Sequence, residues 1–236
     1  MTRESNDPRF AVPLYTIAEA ARYLGVSVST FSTWAHGYER KPRDRKPVYG
    51  APILTASRAA RGEPQIPFGG LAEGMVLAAM RRAGVSLQHI RAAVAVLERE
   101  IGVEHALASQ RLYTDGAKLL YDYAEREQEE ELEQLTEVVS GQRVFGRVVK
   151  GYLERIAYAS DGWAERLVLP MTDRLIAEAD PTRSFGQPIF VEGAARLEDV
   201  VGRWKAGEPL AEVAEDFGVP VADIEDVLRA TLPVAA

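Results

Sequence analysis

Ten side chains between positions 29 and 46 have the chemistry to hold a polyanion. Ser29, Thr30, Ser32, Thr33 and His36 are uncharged donors and acceptors, suited to base edges and phosphates in a major groove. Arg40, Lys41, Arg43, Arg45 and Lys46 follow at once, and such cations pair with phosphates whatever the base sequence. No charged residue interrupts the stretch from Ser27 to His36. These ten residues are the candidate DNA-binding set.

A helix-turn-helix skeleton would position them. Ala21, Gly25, Val26, Phe31 and Trp34 have the spacing of a helix crossing, a left-handed turn and two anchors of a second helix. Thr16 and Glu19 form a capping box at the start of the first helix, and Ser27 suits the N-cap of the second. Gly37 would end it. Two prolines and five cations from Tyr38 to Pro47 exclude a regular helix and predict a basic wing, with a short strand in Val48–Leu54.

The skeleton recurs with the same offsets at Ala214, Gly218, Val219, Ile224 and Val227. There the second helix carries Asp223, Glu225 and Asp226, with Arg229 the one basic residue nearby. Carboxylates oppose phosphates, so this copy reads as a protein contact or a solvated acidic face.

The rest of the chain predicts a mixed, mainly α protein with small β-hairpins. Residues 1–13 read as a frayed arm. Gly70–Ala83 and the Leu87, Ile90, Val94, Leu97, Ile101 stripe predict a helical hairpin, with Gly69–Gly70 as its cap. Turns at Thr114–Gly116 and Ser160–Gly162 predict two hairpins, Leu135–Val139 a strand, and Phe145–Tyr152 a helix. Leu197–Leu228 predicts three short helices. The expected organisation is a DNA-binding region (1–105), a mixed α/β connecting region (106–180) and a C-terminal helix-turn-helix domain (181–236).

Charge supports this division. The net charge is −7, yet residues 1–50 hold eight basic and five acidic side chains, whereas residues 116–236 hold thirteen basic and twenty-four acidic ones. A basic head can bind DNA within an acidic protein because the phosphates respond to the residues that touch them. Cysteine is absent, which removes disulfides and thiolate metal sites, and the three histidines show no ligand spacing. No catalytic motif, signal peptide or membrane-length apolar run is visible. A cytoplasmic, non-enzymatic protein without cofactor or metal is expected.

Three segments carry a resemblance. Tyr15–Trp34 (YTIAEAARYLGVSVSTFSTW) resembles the N-terminal unit of MerR-like regulators, and Gly70–Val103 the helical pair that follows it there. Ser184–Leu228 resembles a helix-turn-helix domain associated with type II antitoxins. Joined through RLYTDGAKLLYD, the ends resemble large VapB-type antitoxins encoded beside PIN-like ribonuclease toxins. The chain departs from metal- and drug-sensing MerR proteins in lacking cysteine ligands and a long dimerising coiled coil. The resemblance implies a winged N-terminal helix-turn-helix, operator DNA and a PIN-like toxin as partners, at least a homodimer, and repression of the chain's own operon. It further implies an acidic surface masking the toxin, or an arginine entering the toxin's metal pocket. Arg143, Arg147, Arg183 and Arg196 are the candidates for that arginine; Arg183, Arg196, Asp223, Glu225 and Asp226 form the candidate partner-binding set. The alternative is a stand-alone MerR-like regulator with a small-molecule effector pocket within residues 105–180. A third possibility is an enzyme or scaffold in which both helix-turn-helix units only pack.

Overall fold

The computed structural model describes residues 7–41, 47–60, 62–87, 90–91, 94–95, 98–99, 105–112 and 150–231. The predicted hairpin around Thr114–Gly116, the strand at Leu135–Val139 and most of the Phe145–Tyr152 helix lie outside them.

The N-terminal part is built around one buried helix. Short α1 (Pro8–Ala11) leads into β1 (Pro13–Tyr15), which pairs antiparallel with β4 (Ile66–Pro67). Between them lie α2 (Ile17–Tyr23), α3 (Val28–His36), β2 (Tyr38–Arg40) and β3 (Val48–Gly50). Then α4 (Phe68–Arg82) runs through the core, with every residue from Phe68 to Met80 buried. A stretch of helix apolar on all sides but for one residue, Glu73, belongs in an interior. The described residues between 87 and 99 are helical, with Ile90 and Val94 buried.

Two expectations are corrected here. Residues 8–13 do not form a frayed arm. Phe10 is buried, stacked on His105 at 4.3 Å between ring centroids and edge-on to Trp163 at 5.1 Å. Nor is Gly69–Gly70 a cap, because the helix begins at Phe68. A Cβ on Gly69 would stand 2.2 Å from the Phe10 ring, and one on Gly70 2.2 Å from the Thr55 carbonyl oxygen. Only glycine admits these approaches.

The C-terminal part starts with a four-stranded antiparallel meander: β5 (Ile156–Tyr158), β6 (Ala164–Val168), β7 (Ala177–Ala179) and β8 (Ile189–Phe190). The β5–β6 turn is the Ser160-Asp161-Gly162 hairpin predicted, with Gly162 at φ 84°. The sheet continues across residue 181, since β8 pairs with β7. Helices α5 (Leu197–Lys205), α6 (Leu210–Phe217) and α7 (Val221–Thr231) follow and pack on one another.

The two parts meet through residues 7–15. Arg9 bonds Asp7 and, at 2.5 Å, Asp161 of the β5–β6 turn. The buried Tyr15 hydroxyl donates to the Gly186 carbonyl at 2.6 Å, and Gln187 Nε2 donates to the Leu14 carbonyl at 3.2 Å. Among the described residues no helix is long and apolar enough to cross a membrane, and no acidic or histidine cluster could hold a metal.

Candidate nucleic-acid interface

The α2–α3 pair assembles as its residues dictate. Thr16 closes the capping box: its backbone N–H donates to Glu19 Oε2 at 2.8 Å, and the Glu19 N–H donates to Thr16 Oγ1 at 3.2 Å. Gly25 ends the first helix at φ 63°, and the Val26 N–H returns to the Ala21 carbonyl at 2.9 Å. Gly25 has a second constraint. Arg82 reaches up from α4 to donate to the Leu24 carbonyl at 3.3 Å, and its guanidinium nitrogen would lie 2.6 Å from a Cβ at position 25. Burial lowers the pKa of Arg82 from its ordinary value. Ser27 caps α3 by accepting from the Thr30 N–H at 3.2 Å.

Helix α3 buries Phe31, Trp34 and Ala35 and turns its other side outward. The five candidate groove residues share that outer side, but not equally. Ser29 and His36 are exposed, while Thr30, Ser32 and Thr33 are half-buried. Local bonds engage several of the hydroxyls: Ser27 donates to Thr30 Oγ1 at 2.8 Å, and Thr33 donates to the Ser29 carbonyl at 2.9 Å.

His36 is oriented by a residue the sequence reading missed. The side chain of Gln65, itself buried, donates from Nε2 to the Ala60 carbonyl at 3.2 Å. Its Oε1 is then the acceptor facing His36 Nε2 at 2.9 Å. This assigns the neutral ring proton to Nε2 and leaves Nδ1 toward the Ser32 hydroxyl, 3.4 Å away.

Strands β2 and β3 flank α3 as an antiparallel hairpin, with Tyr38 opposite Gly50 and Arg40 opposite Val48. The β-strand predicted within Val48–Leu54 stops at Gly50. The Ile53 N–H donates to the Trp34 carbonyl at 2.8 Å, tying the returning chain to α3. Gly37, at φ 75°, would drive a Cβ to 2.2 Å from the Gly50 carbonyl oxygen, so the hairpin base requires glycine. Arg91 stacks over the Tyr38 ring at 5.3 Å. Arg40 lies in β2, and Lys41 pairs with exposed Glu39 at 2.9 Å. Arg43, Arg45 and Lys46 fall between the strands in sequence and lie outside the described residues.

The second copy of the turn repeats the first. Gly218 sits at φ 62°, and the Val219 N–H donates to the Ala214 carbonyl at 3.0 Å. Arg229 is the one cation on α7, as the sequence reads, but the helix's carboxylates meet a second cation from another element. Arg174, from the β6–β7 connection, reaches Asp223 at 2.5 Å and Asp226 at 3.2 Å. Arg229 reaches Asp226 at 2.5 Å and Glu225 at 2.9 Å. Asp223 is 5% exposed. Of the other partner candidates, Arg183 pairs with buried Glu178, and Arg196 pairs with Glu198 at 3.0 Å. Arg143 and Arg147 lie outside the described residues.

A cleft of about 740 Å³ opens beside the hairpin, lined by Tyr49, Leu54, Thr55, Glu73, Arg91 and His105 among others. Glu73, 3% exposed, is the one charged residue in the buried stretch of α4. It accepts from the Thr55 N–H at 2.5 Å, the Thr55 hydroxyl at 3.0 Å and His105 Nδ1 at 3.0 Å. A lone carboxylate in an apolar helical run was the visible signal for it.

Residues 13–94 match a family model described as "Putative DNA-binding HTH domain". The chain is 44% identical over 228 residues to "Putative antitoxin VapB45" of Mycobacterium tuberculosis (strain ATCC 25618 / H37Rv), covering 94% of this chain and 95% of that protein. It is 26% identical over 223 residues to "Uncharacterized protein Rv2308" of the same strain, covering 92% and 90%. The X-ray crystal structure of Rv2018 from Mycobacterium tuberculosis matches with a TM-score of 0.71 at 37% identity, covering 93% of this chain and 99% of that one.

Proposed function

Because this chain belongs to the family of large VapB-type antitoxins with a helix-turn-helix, we propose that it neutralises a cognate PIN-like ribonuclease and represses its own operon by binding operator DNA. In this reading α2, α3 and the β2–β3 hairpin form a MerR-like winged reader. Helix α3 enters the major groove with Ser29, Thr30, Ser32, Thr33 and His36, while Arg40, Lys41, Arg43, Arg45 and Lys46 hold phosphates. The protein acts at least as a dimer, with half-sites about 34–36 Å apart. The C-terminal helices α5–α7 serve toxin contact or oligomerisation.

The observation that carries the reading is the outer side of α3. It is free of carboxylates, capped by Ser27, and held against the core by Phe31 and Trp34 beside a hairpin whose connection is basic. The test is the salt dependence of binding to the DNA upstream of the gene. Replacing Arg43 and Arg45 together with Ala is expected to weaken binding on every sequence and reduce the log–log salt slope by roughly one to two units. An unchanged slope removes the wing from the interface.

One observation favours the second reading, a regulator that answers to a small molecule. The cleft of about 740 Å³ adjoins the hairpin, so a ligand there would touch the reader directly. Its lining comes mainly from residues 49–98 rather than from 105–180. Purified protein whose DNA affinity changes with an added metabolite, and which does not bind the neighbouring gene product, would support this second reading.

A further inference from the structure

Arg91 lines the cleft of about 740 Å³ beside the hairpin, and its guanidinium is short of acceptors. Nη2 donates to the Thr33 carbonyl at 3.4 Å, a long bond, and the group stacks over the Tyr38 ring at 5.3 Å. Nε and Nη1 are buried and meet no acceptor among the described residues. Glu73, in the same lining, is the contrast: its carboxylate takes three donors. A cation buried with unmet donors is costly and rare in native folds, so these two nitrogens call for an acceptor that the fold itself does not supply. Arg91 is also the side chain that ties the cleft to the reader, since Thr33 belongs to α3 and Tyr38 to β2.

The lining narrows the occupant. A volume of about 740 Å³ lies within the range of about 300–1,000 Å³ ordinary for small-molecule sites. Leu54 and Val94 give the wall apolar carbon. Glu98, exposed, and Glu73 share the lining with Arg91. A phosphate ester or a dicarboxylate would meet these carboxylates with charge to spare, and a nucleic-acid backbone is disfavoured on the same ground. A single carboxylate on an apolar body meets each requirement. It gives Arg91 a charged acceptor, which makes the stronger kind of hydrogen bond, and lays carbon on Leu54 and Val94.

We propose that this cleft binds a small organic monocarboxylate, its carboxylate on Arg91 and its carbon chain along Leu54 and Val94. The proposal rests on the effector reading above for its role and on Arg91 for its chemistry. The acceptor reaches the open donors as the guanidinium turns from Tyr38 into the cleft, so binding loosens the hold of Arg91 on α3 and the hairpin. The probes are hexanoate, its neutral counterpart hexanamide, and inorganic phosphate, each titrated into the full chain and followed by NMR chemical shifts. Hexanoate is expected to bind saturably, and hexanamide and phosphate at least about 10-fold more weakly. Arg91→Gln is expected to lower hexanoate affinity by about 10-fold or more. Ala95→Trp, at an exposed position of the lining, fills the cleft with Arg91 in place and is expected to do the same at an unchanged melting temperature. No saturable hexanoate binding by the wild type overturns the proposal, as does equal affinity for hexanoate and hexanamide, or full affinity in Arg91→Gln. The hexanamide comparison needs no variant, so the test does not depend on Arg91→Gln folding. If hexanoate binds as expected while the affinity for upstream DNA is the same with and without it, the site stands and the effector reading falls.

Discussion

His36 meets the outer side of α3 with its ring already committed. Gln65 Oε1 accepts from the Nε2–H, so the imidazole cannot rotate to offer that donor to a base without breaking a bond to a buried amide. Ser29 carries the exposed hydroxyl of the set, and its local partner is the Ser27 hydroxyl at 3.1 Å, itself exposed. Glu73 is committed still more fully, with three donors on one buried carboxylate. Glu73→Ala strips the acceptor from the Thr55 N–H and leaves His105 Nδ1 with the Thr55 hydroxyl at 2.7 Å, and it is expected to cost about 1–3 kcal/mol, read as a lower denaturant midpoint at unchanged slope. Asp223 shows that a formal charge is not a field. It reads as a repulsive carboxylate in sequence, but in the fold it is buried beneath an arginine from another element.

At the scale of elements, the helix-turn-helix depends on a close approach to α4. A Cβ on Gly74 would stand 2.8 Å from the Phe31 ring and 2.9 Å from Leu24 Cδ1. Gly74→Ala gains helix propensity but forces α2 and α3 outward, and the clash is expected to win by about 1–3 kcal/mol. Thermal melts of the variant, together with weaker operator binding from a displaced α3, check this. These elements also divide by how legible they were in sequence. The capping box at Thr16, the Ser27 cap and the Gly25 and Gly218 turns were readable because each is decided within about five residues of chain. The turn chemistry at Ser160–Gly162 was readable for the same reason. Helix α1 was not, because four residues carry no periodicity and Phe10 is fixed by His105 and Trp163, far away in sequence. Gly69–Gly70 looked like a cap because nothing local announces Phe10 or the Thr55 carbonyl above them. Arg174 was missed as a partner of α7 because 49 or more residues separate it from the carboxylates it meets. Of the candidate site, the α3 residues and their scaffold were legible, while Gln65 and Glu73 needed the fold.

At the scale of the whole molecule, the segment 7–15 joins the helix-turn-helix part to the sheet. Arg9 is the charged element of that joint, holding Asp7 and Asp161 at once. Its hydrogen bonds lower the pKa of both carboxyls below the ordinary value of 3.8. Groups depressed in the folded state contribute stability above that value and lose it as pH falls through the folded pKa values. Arg9→Ala is therefore expected to destabilise the protein by about 1 kcal/mol at neutral pH. The gap between the variant and the wild type should close as the pH drops below 3.8. Urea midpoints across the acid range measure this directly.

The bond from Tyr15 to Gly186 also sets an order of events during synthesis. Chains emerge N-terminus first and begin folding as they do. Tyr15 leaves the ribosome early, yet its hydroxyl finds its acceptor only once residue 186 has followed and β8 has closed the sheet. The part that would read DNA thus waits for nearly the whole polypeptide before its own interior is sealed. A prematurely terminated chain would carry a reader with an open seam, and a protease would reach that seam first.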